Sequence, residues 1–211
     1  MDFELVTSSQ LSGRTWLIDG PVMILPCTDA VMAKRAGQHA AARAGVKGLV
    51  LAIEDELREG FVSIMNQACR VTHSPWVGYM AQEAFAGRQW MSLALTALVQ
   101  RQGVFVGFND GKWQGALASF GLAQRGWAAG NYEQGEFFYP KYQRHYADAE
   151  LTVLARQVKG YVYEPNSVLL EVDWGKDAQA VHQPDRVLYR QRAQDGFDGM
   201  VSEPKLRTLF G

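Results

Sequence analysis

The chain has 211 residues, enough for one domain with a sizeable core. Its composition, 47% apolar and 20% charged with a net charge of −1, is that of an ordinary globular protein and excludes a global field drawing it to nucleic acid or anionic membrane. Two cysteines, Cys27 and Cys69, exclude a disulfide framework, and no CxxC pair surrounds them.

Gly20 to Pro26 is a short apolar run closed by prolines and reads as a buried strand. Thr28 or Asp29 can cap the Ala-rich helix that follows to about Ala44, with Gly45 as its stop. Gly48 to Ile53 is a second buried strand, ending in Glu54-Asp55-Glu56. Phe61 to Ala68 carries helical spacing. Trp76 to Met80 is a third strand, and Gly87 to Gln102 is an amphipathic helix on Trp90, Leu93, Leu95 and Leu98. Apolar strands alternating with helices predict a parallel sheet covered on both faces.

The pattern changes after Val104. Val104 to Phe108 and Trp113 to Phe120 flank Asp110-Gly111, which predicts a tight hairpin. Arg125 to Pro140 reads as an aromatic loop, with Trp127, Tyr132, Phe137, Phe138 and Tyr139 available to pack the loop or to stack on sugar rings. Asp148 opens another helix. Tyr161 to Tyr163 and Val168 to Val172 read as strands, and a helix falls around Arg186 to Gln194. No repeat or linker interrupts the chain. The expectation is one α/β domain, parallel in its first half and mixed in its second. No apolar run spans a membrane, and Met-Asp-Phe-Glu lacks the pattern of a secretory leader, so a cytoplasmic protein is expected.

In open parallel sheets, ligands sit beyond the carboxyl ends of the strands. Here those ends carry Pro26-Cys27-Thr28-Asp29, Glu54-Asp55-Glu56 and Ala81-Gln82-Glu83. Neither GxGxxG nor GxxxxGK[ST] follows the first strand, which argues against a Rossmann dehydrogenase and a P-loop NTPase. A phosphate bound without such a loop calls for a divalent cation, Mg²⁺ or Mn²⁺, held by carboxylates and by the phosphates themselves.

The order of these motifs resembles a known family. Strand–Pro-x-Thr-Asp–helix–strand–Glu-Asp, then Gly60 to Asn66 as Gly-x-x-x-x-x-Asn, then Ser74-Pro-Trp-Val-Gly-Tyr-Met-Ala-Gln-Glu83, is similar to the nucleotide-binding half of inverting GT-A glycosyltransferases, phage-type members among them. His145-Tyr-Ala-Asp-Ala-Glu and Gly160-Tyr-Val-Tyr-Glu-Pro are similar to that family's acidic helix start and trailing strand. The resemblance implies a three-layer GT-A (Rossmann-like) fold, with a nucleotide-binding half over about 20–108 and an acceptor half over about 109–211. It implies a nucleotide sugar, UDP-linked by preference, bound by Pro26, Thr28, Asp55, Asn66 and Gln82. It implies Asp148 or Glu150 as catalytic base, and Glu83 as metal ligand with His182 or Asp173 completing the shell. Ala81 stands where the family has its first metal-binding Asp. Asp110, Lys112, Trp113 and His145 are the expected acceptor contacts, and Lys112, Arg88 or His182 the expected supporting charges.

The acceptor is expected to be a saccharide or a hydroxymethylated base of viral DNA. The basic stretch of Arg186, Arg190, Arg192, Lys205 and Arg207 supports the second. A nucleotide-binding module that has lost catalysis is the competing reading, motivated by Ala81. A sugar-phosphate nucleotidyltransferase ranks below both, because Cys27-Thr28-Asp29-Ala30 is not a Gly-rich basic loop.

Overall fold

Strand residues of alternating direction but uniform apolarity dictate a sheet buried on both faces. The computed structural model, which describes residues 1–172 and 181–211, contains it. The elements in chain order are β1 (Asp2–Thr7), β2 (Trp16–Leu17), β3 (Val22–Cys27), α1 (Ala30–Arg43), β4 (Leu49–Glu54), α2 (Phe61–Val71), β5 (Thr72–His73), β6 (Trp76–Tyr79), β7 (Ala84–Ala86), α3 (Trp90–Gln100), β8 (Phe105–Asn109), β9 (Gly121–Gln124), α4 (Arg125–Ala129), α5 (Ala147–Gln157), β10 (Tyr161–Glu171), α6 (Gln183–Gln194) and α7 (Pro204–Arg207).

Eight strands form the main sheet in the order β1-β4-β3-β6-β9-β8-β10-β7, and β2 pairs with β5 separately. β1, β4, β3 and β6 run parallel. β9 is antiparallel to β6 and β8, β10 is parallel to β8, and β7 is antiparallel to β10. Along β3, Val22 and Ile24 enter the core shared with α2 and α5, while Met23 and Leu25 enter the core shared with α1 and α3. This period-2 division of one apolar run makes the three layers.

Local chemistry sets the boundaries. The Asp29 carboxylate accepts from the Val31 and Met32 amides and caps α1. Gly37 in the middle of α1 lets the Phe3 ring of β1 approach, since a Cβ there would lie 2.2 Å from that ring. β1 itself is an edge strand in which Phe3 and Leu5 alternate with Asp2 and Glu4 and pack against the core on the α1 side.

Three sequence expectations are corrected. Asp110-Gly111 is no two-residue hairpin turn: β8 and β9 pair across the loop 110–120. The Asp110 carboxylate folds this loop by accepting from the Lys112 and Trp113 amides and the Ser119 hydroxyl. Tyr161 to Val172 holds one strand, β10, with a register shift between Tyr163 and Val168. The segment after Arg125 contains α4, and Phe137 and Phe138 are buried against Tyr79, with the Tyr79 and Phe138 centroids 5.0 Å apart. Those two rings belong to the core, not to a sugar platform.

Asn66 fastens that aromatic segment to α2. Its side-chain oxygen accepts from the Phe137 and Phe138 amides at 3.1 and 2.9 Å, and its nitrogen donates to the Phe138 carbonyl at 2.9 Å. Asn66→Ala leaves these buried backbone groups unsatisfied. Urea denaturation is expected to show a loss of roughly 2–4 kcal/mol with an unchanged slope.

Candidate active site

A cleft of about 1030 Å³ opens at the carboxyl ends of β3, β4 and β6. The chain runs from β3 to β4 on one side and places β6 on the other, so the connections diverge there and leave the opening. The far wall is the loop before β9, the start of α5 and the end of β10, contributing Ser119, Asp148 and Glu171 among others.

Each wall is fixed by backbone hydrogen bonds. The Gln82 side-chain oxygen accepts from the Thr28 and Asp29 amides at 2.9 and 3.0 Å, so it ties the β6 exit to the β3 exit. Asp55 accepts from the Glu59 and Gly60 amides, both at 2.8 Å, and folds the turn into α2. Gly60 has φ 91°, a left-handed value that suits glycine at that turn. Opposite, the buried Asp185 of α6 accepts from three successive amides, Gln143, Arg144 and His145, at 3.0, 2.9 and 2.9 Å. Burial opposes the charge on Asp185, but these donors and nearby His182 prevail and hold its carboxyl below the ordinary value. α6 thereby positions the segment 143–146 that faces the cleft. Burial pushes the His145 imidazole below its usual pKa despite Asp185, and the His182 amide donates to His145 Nδ1 at 3.0 Å. That bond occupies the Nδ1 lone pair of His145.

α5 carries two carboxylates with opposite environments. Glu150 is fully buried. Its two oxygens accept from Arg192 Nε and Nη2 at 2.8 and 2.7 Å, and from the hydroxyls of Tyr132 and Tyr142 at 3.0 and 2.8 Å. Arg192 also reaches Asp198 at 2.9 Å and lies 3.4 Å over the Tyr139 ring. Asp148 lines the cleft instead. Its carboxylate accepts from the amide of Ala149 at 2.9 Å. Burial pushes its pKa up to about 7; hydrogen bonds from backbone amides offset this in part, and Glu171 and Asp110 add to the rise.

The structure therefore brings together Pro26, Thr28, Asp55, Gln82, Glu83, Trp113, His145 and Asp148 on one cleft, with Ala81 beside Glu83. It leaves six expected residues off its lining, Arg88 among them. Asn66 faces the aromatic segment, Glu150 meets Arg192, and Asp110 folds its own loop. The Lys112 ammonium lies 3.1 Å from Glu171, and His182 Nδ1 lies 3.0 Å from Asp185 at the start of α6. Asp173 falls outside the described residues. Among the described residues, no three His, Cys, Asp or Glu side chains converge as a metal-binding group. The basic C-terminal stretch is not one surface patch, because Arg192 is buried on Glu150 and Arg207 donates to the Val201 carbonyl.

The sequence reading also missed residues. Arg58 and Arg144 put two cations on the cleft, and no carboxylate pairs with either among the described residues. Glu171 ends β10, so the rule of reading strand ends would have found it had the strand been recognised as continuous. Arg58 and Arg144 carry no motif; only the fold brings them to the cleft.

No protein-family model matches the chain, and no curated protein matches it. Among solved structures it is similar to a mannosyltransferase, PcManGT from Pyrobaculum calidifontis, in complex with GDP-Man and Mn²⁺, at 14% identity and a TM-score of 0.54. The match covers 89% of this chain and 66% of the mannosyltransferase chain, so this chain spans just under two thirds of that protein's length. The likeness shows the fold: a mixed α/β sheet of the GT-A type.

The two carboxylates of α5 make opposed predictions. Glu150→Gln leaves Arg192 buried beside a neutral partner and is expected to cost roughly 3–5 kcal/mol in urea denaturation. Asp148 has a folded pKa of about 7 against 3.8 for the free group. The unfolded chain therefore releases this proton first, and stability falls as pH rises between those two values, by on the order of 4 kcal/mol. Asp148→Asn is expected to flatten that part of the pH–stability curve and to stabilise the protein above pH about 7.

Proposed function

We propose that this protein is a glycosyltransferase that moves a sugar from a nucleotide-sugar donor to a hydroxyl acceptor with inversion. The observation that carries the reading is Asp148, a carboxylate of raised pKa at the start of a helix, facing a cleft with two cations on a GT-A-type sheet. The continuous eight-stranded sheet supports reading the chain as one domain, with its nucleotide half on β3, β4 and β6.

In this reading the donor lies over the β3 and β4 ends, where Pro26, Thr28, Asp55 and Gln82 form the wall. Asp148 accepts the proton of the acceptor hydroxyl as that oxygen attacks the anomeric carbon. The bond from that carbon to the diphosphate oxygen breaks, and the diphosphate leaves with the electron pair. Arg58 and Arg144 offset the charge that develops on it. Glu83, buried at the cleft wall, is the described residue that fits a divalent cation. A single carboxylate suits an ion held largely by the donor's own phosphates. Such a cation, when bound, would supply further charge compensation to the leaving diphosphate.

Trp113 supports a saccharide acceptor. It is 45% exposed on the cleft and meets Phe210 edge-on at 6.5 Å, an aromatic surface of the kind sugar rings stack on. The burial of Arg192 weakens the case for a modified base in DNA, so a saccharide is the first acceptor class to test. Among the described residues no helix is long and apolar enough to cross a membrane.

The test pairs binding with turnover. Thermal shift with UDP- and GDP-sugars, with and without Mn²⁺, is expected to show stabilisation by at least one donor. Mass spectrometry of donor hydrolysis and transfer is expected to show turnover that rises with pH through about 7, as Asp148 ionises. Asp148→Asn is expected to lower turnover about 10²–10⁴-fold while leaving donor stabilisation in place. Stabilisation without turnover, unchanged by Asp148→Asn, would assign a nucleotide-binding module instead. No stabilisation by any donor would contradict both.

A further inference from the structure

The opposite end of the sheet holds a second, smaller cavity of about 400 Å³, lined by Arg101, Gly115, Arg156, Lys159, Tyr161 and Tyr163. β10 separates it from the cleft: Tyr161 and Tyr163 begin this strand and Glu171, on the cleft, ends it. On the loop 110–120 the cavity and the cleft come close together, since Gly115 lines the cavity and Trp113 and Leu117, two residues to either side, line the cleft. The cations come from two helix ends, Arg101 at the cap of α3 and Arg156 and Lys159 at and beyond the last turn of α5.

Helix ends commonly carry basic residues facing their own carbonyls, at little energetic consequence. Two observations set this group apart. The first is how the guanidiniums are held. Arg156 Nη2 donates to the carbonyls of Gly115 and Ala116, both at 2.8 Å, and Arg101 Nη1 donates to the Tyr163 carbonyl at 2.9 Å. Carbonyls fix position without cancelling charge. Glu164, 3.4 Å from Arg101, is the one carboxylate paired with any of the three cations among the described residues. The cavity thus has three cationic side chains against one carboxylate, in a chain whose net charge is −1. The second is orientation: the Arg156 guanidinium lies 5.0 Å over the Tyr161 ring and hydrogen-bonds that side chain, so it is set before any ligand arrives. A pre-oriented planar fork whose charge is not neutralised, in a concave, positively charged setting, is the chemistry that recognises a phosphoryl group.

We propose that this cavity is a second ligand site, distinct from the cleft, that binds a phosphoryl group through Arg156, Arg101 and Lys159. Its size suits a phosphate carried on a body no larger than a monosaccharide or a nucleoside. Gly115 and Ala116, whose carbonyls hold Arg156, belong to the same loop that places Trp113 and Ser119 on the cleft. An anion drawn to Arg156 therefore acts on a loop shared by both sites.

The test is an amide NMR titration of the full chain with inorganic phosphate, a hexose phosphate and a short oligonucleotide. Saturable shifts are expected at Gly115, Lys159, Gly160 and Tyr163, with half-saturation by phosphate at or below about 10 mM. The double variant Arg101→Gln with Lys159→Glu changes exposed side chains and is expected to keep the fold, which its amide spectrum would show. It is expected to weaken phosphate binding about tenfold or more and to leave nucleotide-sugar stabilisation unchanged. Tighter binding of the hexose phosphate than of the oligonucleotide identifies a small phosphorylated metabolite. The reverse order identifies a phosphodiester backbone. Absence of saturable shifts at these amides, or identical shifts in the double variant, overturns the proposal whatever donor assays show.

Discussion

The buried pair of Glu150 and Arg192 is the constraint from which the rest of the site takes its position. Two ionised groups out of water are costly unless every oxygen and N–H finds a partner. Here Glu150 receives four donors, and Arg192 stacks on Tyr139 and reaches Asp198. That arrangement joins α5, α6 and the aromatic segment before α5 into one unit. α6 in turn carries Asp185, which holds the amides of residues 143–145. The cleft wall that contains Arg144, His145 and Asp148 is therefore fixed from behind, by interactions that do not face the ligand.

The same helix turn places two carboxylates in unlike surroundings. Glu150 points into a cluster of donors and its charge is fully compensated. Asp148, two residues earlier, faces the cleft, and burial beside Glu171 and Asp110 destabilises its charge. Two acids with environments this different take different roles, and the less compensated one is suited to proton transfer at neutral pH. On the GT-A-type sheet, the strand ends and diverging connections opposite this carboxylate leave the cleft open.

Much of this was legible in the sequence. The apolar runs at 20–26 and 48–53, alternating with helical patterns, read as buried parallel strands, and the acidic residues at their ends lie at the cleft. What was not legible depended on partners distant in the chain. Glu150 and Asp148 look equivalent as letters, and only Arg192, 42 positions beyond Glu150, distinguishes them. Asp110-Gly111 has the composition of a hairpin turn, yet Ser119 captures the Asp110 carboxylate and a longer loop results. Asn66 sat in a family-like spacing, while its amide is matched to the backbone of Phe137 and Phe138, about seventy residues away. β1 alternates Asp2-Phe3-Glu4-Leu5 as a half-buried strand does, so its signal is present but only six residues long.

The proposed transfer needs Asp148 to be a base that the fold poises near neutrality. The most direct measurement is a carbon NMR titration of the Asp148 carboxyl in the intact protein, with Asp148→Asn identifying the resonance. The account predicts a midpoint at about 7. A midpoint in the ordinary aspartate range, near about 4, would contradict it.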